Sequence, residues 1–203
     1  MNSKLSFGLW GLTAVLSVGV AIYAYAVLPL GGSPGPAVLA NAFARPWLVI
    51  HVTGAGTALL LVAFQLLPAI RRRRAVHRWI GRIYASACIL GGSAGLAVAV
   101  GTTAGPIAAT GFGLLAVIWI YVTAQGWLTA RARRFDEHRR WMIRSFALTF
   151  AAVTLRIYMP LSMAMHLDMD QAYRAIAWLA WVPNLVCAEL YLRRGSLRLQ
   201  PAE

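Results

Sequence analysis

Two short stretches of the chain echo each other. His77-Arg78-Trp79-Ile80-Gly81-Arg82 and His138-Arg139-Arg140-Trp141-Met142-Ile143-Arg144 each place a histidine among arginines where a long apolar run begins. Imidazoles so placed can share a haem iron, bind a lipid headgroup or relay a proton, because histidine changes charge near neutral pH and carries two distinct ring nitrogens. The arginines and tryptophans have a plainer use as membrane anchors, since guanidinium groups attract anionic headgroups and indoles favour the interface. An imidazole adds little to anchoring, so the histidines point elsewhere. The chain holds four, the other two being His51 and His166.

Arg156 is the most costly residue in the sequence. It stands well inside an apolar run, away from the arginine clusters, where a central charge costs about 2.5 to 3.5 kcal/mol on insertion scales. Such a residue faces a protein interior or cavity, or snorkels to an interface. Tyr158 and Pro160 follow it, and the proline frees backbone carbonyls as partners. Glu189 is the only acid within an apolar run. Its depth matches Arg144, so an Arg144–Glu189 ion pair closing one end of the bundle is the structural expectation, with a proton-relay carboxylate as the alternative. Asn184, after Pro183, either satisfies backbone loosened by the proline or joins Tyr158 and Arg156 around a ligand cavity. Gly54, Gly56, Gly91, Gly92 and Gly95 let helices approach closely. Gly54 lies one turn from His51 and would equally make room for a flat macrocycle, and spacing alone does not separate the two.

The elements that must position these residues follow from composition. Apolar types make up 60% of the 203 residues and charged types 12%, against about 25% charged in soluble domains. A single polytopic membrane domain over residues 1–203 is expected, all-α and built as a transmembrane helix bundle. The net charge of +13 does not indicate nucleic acid, because the arginines stand in short clusters between apolar segments and form no basic face interleaved with polar readers. Cys88 and Cys187 lie inside apolar runs and read as small apolar residues, with no disulfide framework or zinc site. No phosphate-binding glycine loop, metalloprotease helix motif or Ser-His-Asp arrangement is evident, which disfavours soluble-style hydrolase chemistry.

A helix needs about 20 apolar residues to cross a hydrocarbon core near 30 Å thick. Six segments qualify, at about 7–29, 47–70, 80–100, 106–129, 141–164 and 172–192. The first follows Lys4 and contains Ala24-Tyr25-Ala26, which resembles a signal-peptidase site, but its length exceeds a typical signal core and it reads as a spanning helix. Glycine and proline at residues 31–36 and 101–106, and the acidic segment 168–170, separate the spans. Residues 71–82 carry six arginines, residues 131–144 six more, and the tail adds Arg193, Arg194 and Arg198, whereas the alternate loops hold only Arg45 and Arg174. The positive-inside rule then makes both termini and both arginine-rich loops cytoplasmic, in a bacterial inner membrane with anionic lipids at that face. The echo recurs after 61 residues, a length that suits two parallel helical hairpins.

This topology sorts the histidines into two storeys. His77 and His138 lie at the cytoplasmic face, His51 and His166 toward the other. Imidazole pairs facing one another across a bundle hold a b-type haem, with arginines neutralising the propionates. Arg45 and Arg156 would serve the outer haem, Arg144 and the arginines at 71–74 the inner one. The bland alternative makes His77 and His138 solvated interface residues and His166 a loop residue.

His51 with Gly54, the stretch from His77 through Ile83-Tyr84, the stretch from His138 through Arg144-Ser145, Leu155-Arg156-Ile157-Tyr158 and Trp181-Val182-Pro183-Asn184-Leu185 together resemble a bacterial family of predicted multi-helix membrane proteins, a domain of unknown function. The resemblance covers nearly the whole chain and implies a stand-alone inner-membrane bundle, without supplying a reaction. A weaker likeness, in histidine count and sidedness alone, is to the six-helix dihaem cytochromes b, and it implies haem b with a quinone or redox partner. The chain departs from that pattern where His138 and His166 bracket one span and where His77 opens its helix. Two functions result: a b-type haem electron carrier or quinone-linked oxidoreductase, or a non-redox small transporter, lipid-binding or assembly protein with a polar cavity around His51, Arg156 and Asn184. A purely structural accessory subunit is a third, and self-association is compatible with each.

Overall fold

A computed structural model describes residues 3–27, 40, 41, 43–65 and 67–197, and every regular element among them is helical. α1 covers Ser3–Val27, and a π-helical turn, Ala44–Leu48, runs directly into α2, Val49–Gln65. A short α3, Pro68–Arg72, precedes α4, Arg74–Val100, and α5, Pro106–Arg131. Then come α6, Phe135–Thr149, α7, Ala151–Ala164, α8, Met169–Leu179, and α9, Val182–Leu197. Five stretches are long and apolar enough to cross a membrane: Arg45–Gln65, Arg74–Val100, Pro106–Arg131, Phe135–Ala164 and Met169–Arg194. α1 adds a shorter apolar stretch, Gly11–Ala26, so the described bundle has five to six candidate spans. The end of the first expected span and the break at residues 31–36 lie outside the described residues.

Local chemistry sets the helix ends. Pro68 and Pro106 open α3 and α5, where a missing amide hydrogen costs nothing. Asp168 caps α8 by accepting from the Gln171 amide at 2.8 Å. The last two spans, expected as single helices, are each interrupted. α6 gives way to α7 at Phe150, where the Thr149 and Thr154 hydroxyls donate to carbonyls four residues back, a contact that bends helices. A proline ring clashes with the carbonyl four positions before it; for Pro183 that position is Leu179, where α8 stops. Pro160 stays inside α7 and leaves the Arg156 carbonyl without its helical donor.

Between membrane helices, association rests on close packing and hydrogen bonds, because lipid is as apolar as leucine. α2 and α4 meet backbone to backbone: a Cβ on Gly54 would lie 2.7 Å from the Gly91 Cα. The buried core runs through Ala58 and Val62 of α2, Tyr84 and Cys88 of α4, and Trp119 and Val122 of α5. Large apolar side chains such as Leu90, Val100 and Leu128 stay exposed on the outside, as a lipid-facing surface requires.

Candidate functional site

A cavity of about 50 Å³ lies where α1, α2 and α7 meet, walled by Val20 and Ala24, by His51 and Ala55, and by Ala152 and Arg156. His51 is placed by glycines. A Cβ on Gly95 would sit 2.6 Å from its Nδ1, so only glycine there leaves room for the ring. The same Nδ1 lies 2.9 Å from the Gly91 carbonyl. A carbonyl can only accept, so Nδ1 carries the hydrogen, and in the neutral ring Nε2 keeps a lone pair. The glycine gap around His51 is therefore filled by α4 backbone and by the imidazole itself, which settles Gly54 as a packing device.

Arg156 faces His51 across this cavity. Its Nη1 donates to the Ala152 carbonyl at 3.0 Å, and its guanidinium carbon stands 5.7 Å from the Tyr23 ring centroid. Its Nε is buried without a hydrogen-bond partner. The described ion pairs are Arg134–Glu137 and Arg144–Glu189, so no carboxylate among the described residues balances Arg156. A desolvated cation and an imidazole thus share one small aliphatic chamber.

The remaining expected site residues are dispersed. Arg45 is exposed on the π-helical turn. His166 is exposed in a left-handed conformation (φ 54°) beyond the end of α7. His166 lines no part of the cavity, where Arg156 stands opposite His51. Asn184 lines no part of the cavity; its Nδ2 reaches the Thr154 hydroxyl at 3.0 Å and the Ala180 carbonyl at 3.0 Å, tying α9 to α7 and to the broken end of α8. Tyr158 packs half-buried against the core. Arg144 is bidentate on Glu189, with Nε–Oε1 at 2.5 Å and Nη2–Oε2 at 3.0 Å, while its guanidinium lies over Trp141.

At the arginine-rich end His138 Nδ1 meets the Gly126 carbonyl at 2.8 Å, and His138 and Arg71 lie close enough to His77 to act on it electrostatically. Gln65 donates from Nε2 to the His77 carbonyl at 3.0 Å, leaving Gln65 Oε1 and His77 Nδ1 buried and unpaired. Gln65 is a residue the sequence reading missed, since one glutamine at the end of an apolar run has no spacing signal.

A second polar region also escaped notice. The Tyr84 hydroxyl bonds Ser145 Oγ at 2.7 Å and Thr149 Oγ1 at 2.9 Å, Trp119 Nε1 donates to Thr149 Oγ1 at 2.9 Å, and Thr123 meets Ser145 at 2.7 Å. Its signal was present: Tyr84 and Ser145 each follow their echo histidine by seven residues, two helical turns, and so lie at equal depth.

His51 keeps Nε2 open as a ligand would, with Nδ1 held by the Gly91 carbonyl, but the outer cavity, at about 50 Å³, is far below the 300–1,000 Å³ of ordinary cofactor pockets for a group such as haem. The outer site does not fit the group. No cluster of three or more His, Cys, Asp or Glu side chains gathers among the described residues.

A family model described as a predicted membrane protein (DUF2306) matches residues 48–192. No curated protein and no solved structure matches the chain. The matched stretch contains His51 and Arg156 and excludes α1, which supplies Val20 and Ala24.

Proposed function

The chain belongs to the DUF2306 family of predicted membrane proteins, and we propose that it binds a small anionic group inside the bilayer, between His51 and Arg156, as a carrier or lipid-binding protein. One observation carries this: the half-buried Arg156, with its Nε buried and unpaired, opens onto a cavity and meets no described carboxylate. Burying a charge without a counter-charge is costly, so an anion entering the cavity would relieve a penalty already built into the fold.

The ligand chemistry follows from the two side chains. Arg156 donates, and the neutral His51 ring accepts at Nε2, so the complementary group carries both an anionic oxygen and a hydroxyl, as a monoprotonated phosphate does. The cavity, about 50 Å³, holds little more than one or two waters at about 30 Å³ each. That size suits the head of an amphiphile whose tail remains in lipid. By arginine bias, the rich end faces the cytoplasm of a bacterial inner membrane and the cavity lies in the opposite half.

Thermal unfolding in detergent tests this with sodium phosphate, dodecyl phosphate and the neutral dodecyl maltoside as probes. Dodecyl phosphate is expected to raise the Tm, with stabilisation near 2.7 kcal/mol at a hundredfold excess over Kd. Arg156→Ala should abolish the shift and His77→Ala should keep it. Equal losses in both variants, or no response to either phosphate, would sink the proposal. The same preparation, expressed with ample haem, is expected to lack a Soret band; a band that moves on reduction would reinstate the electron carrier.

A further inference from the structure

α9 is packed on α6 along one side, and another side is an open face made by Trp181 to Arg193 alone, with no wall from a second helix. Trp181, Val182, Leu185, Val186 and Leu190 make it apolar, and Glu189 with Arg193 closes its far end. Val182 to Arg193 is eleven residues, about 16 Å of helical rise, which is close to one leaflet of a hydrocarbon core about 30 Å thick. This face is thus apolar over the depth of one acyl layer and charged where headgroups begin.

The charge has a definite sign. Arg144 neutralises Glu189 through its two hydrogen bonds, and Arg193 is exposed beside the pair. Two guanidinium groups against one carboxylate leave an excess positive charge at this end. Lipid in general will cover an apolar helix face, but only charge makes the choice among headgroups. A second copy of the chain fits less well, because a two-fold axis along the membrane normal would bring Arg193 to the same depth as its own counterpart, like charge against like.

We propose that this α9 face is a selective site for an anionic phospholipid, with one acyl chain along Val182, Leu185, Val186 and Leu190 and the phosphate on Arg193. It shares no lining residue with the His51–Arg156 cavity, and its charged end lies with the arginine clusters. The site also accounts for a glutamate at the headgroup level: Glu189 holds Arg144 in place at the cost of weakening the field that the phosphate meets.

The full-length protein, reconstituted in nanodiscs of equal phosphatidylglycerol and phosphatidylcholine, tests it by native mass spectrometry of the lipids retained after mild detergent extraction. Phosphatidylglycerol is expected to be enriched. Arg193→Gln should lower that enrichment about five-fold, the effect of one surface cation, whereas Arg131→Gln at the same end should leave it unchanged. Glu189→Gln should raise it. Arg193 is exposed, so its variant keeps the fold, which an unaltered melting profile verifies. No enrichment, an equal loss on Arg131→Gln, or efficient dimer cross-linking through the exposed Cys187 in place of retained lipid would overturn the proposal.

Discussion

Two polar regions lie inside this bundle and solve the same problem in opposite ways. The Tyr84, Thr123, Ser145 and Thr149 hydroxyls with the Trp119 indole are buried, uncharged and mutually hydrogen-bonded between α4, α5 and α6. At the His51–Arg156 cavity a cation has one carbonyl bond from Nη1, an unpaired Nε and no described acid. Closed hydroxyl networks act as glue between membrane helices, while an uncompensated charge is an expense that packing does not need. Satisfaction of hydrogen bonds, more than polarity, separates the part that holds the bundle from the part that awaits a ligand.

Substitutions can break or sharpen that contrast. The largest effect is expected at the closed cluster: Tyr84→Ala leaves a cavity and removes two hydroxyl contacts, and should lower stability by about 3 to 5 kcal/mol, read as the midpoint of a reversible detergent-unfolding titration. Arg156→Met should move the same midpoint the other way, a gain of about 1 to 2 kcal/mol from removing a buried unpaired charge, while the phosphate-dependent Tm shift disappears. A loss of stability in Arg156→Met would erase the distinction. Thr149→Val, which keeps shape and deletes the hydroxyl joining Tyr84 to Trp119, should cost about 1 kcal/mol, near the range for hydrogen bonds between membrane helices. Smallest of all, Glu189→Gln should change unfolding by less than about 1 kcal/mol, since the Arg144–Glu189 pair is partly solvent-exposed.

Much of the helical frame was legible in the sequence because hydropathy is an average over many residues. The five stretches long enough to cross overlap the apolar runs expected for spans two to six, with ends that differ by up to six residues. The interruptions at Phe150 and Ala180-Trp181 were not legible from that average, since they arise from competition for single backbone carbonyls. Arg156 announced itself by charge alone. His51 and Arg156 were read as neighbours in one cavity and both line it, whereas Asn184, read as the third, bonds Thr154 and Ala180 instead, and His166 lies exposed in a left-handed turn beyond the end of α7 at Ala164. The hydroxyl cluster was harder still, because serine and threonine are common in membrane helices as packing residues. Only the equal seven-residue offsets of Tyr84 and Ser145 carried a hint of it.

The fit of His51 against Gly95 has a consequence for how any ligand is recognised. Wedged against α4 backbone and tied to the Gly91 carbonyl, the imidazole has surrendered its rotational freedom during folding, so binding adds no further entropy loss for that side chain. Arg156 has a long flexible stem and a single hydrogen bond to hold it, so its remaining freedom is lost when a ligand docks. The rigid partner therefore governs which geometry is accepted, and the supple one governs how tightly, a division that calorimetry would register as entropy on one side of the cavity only.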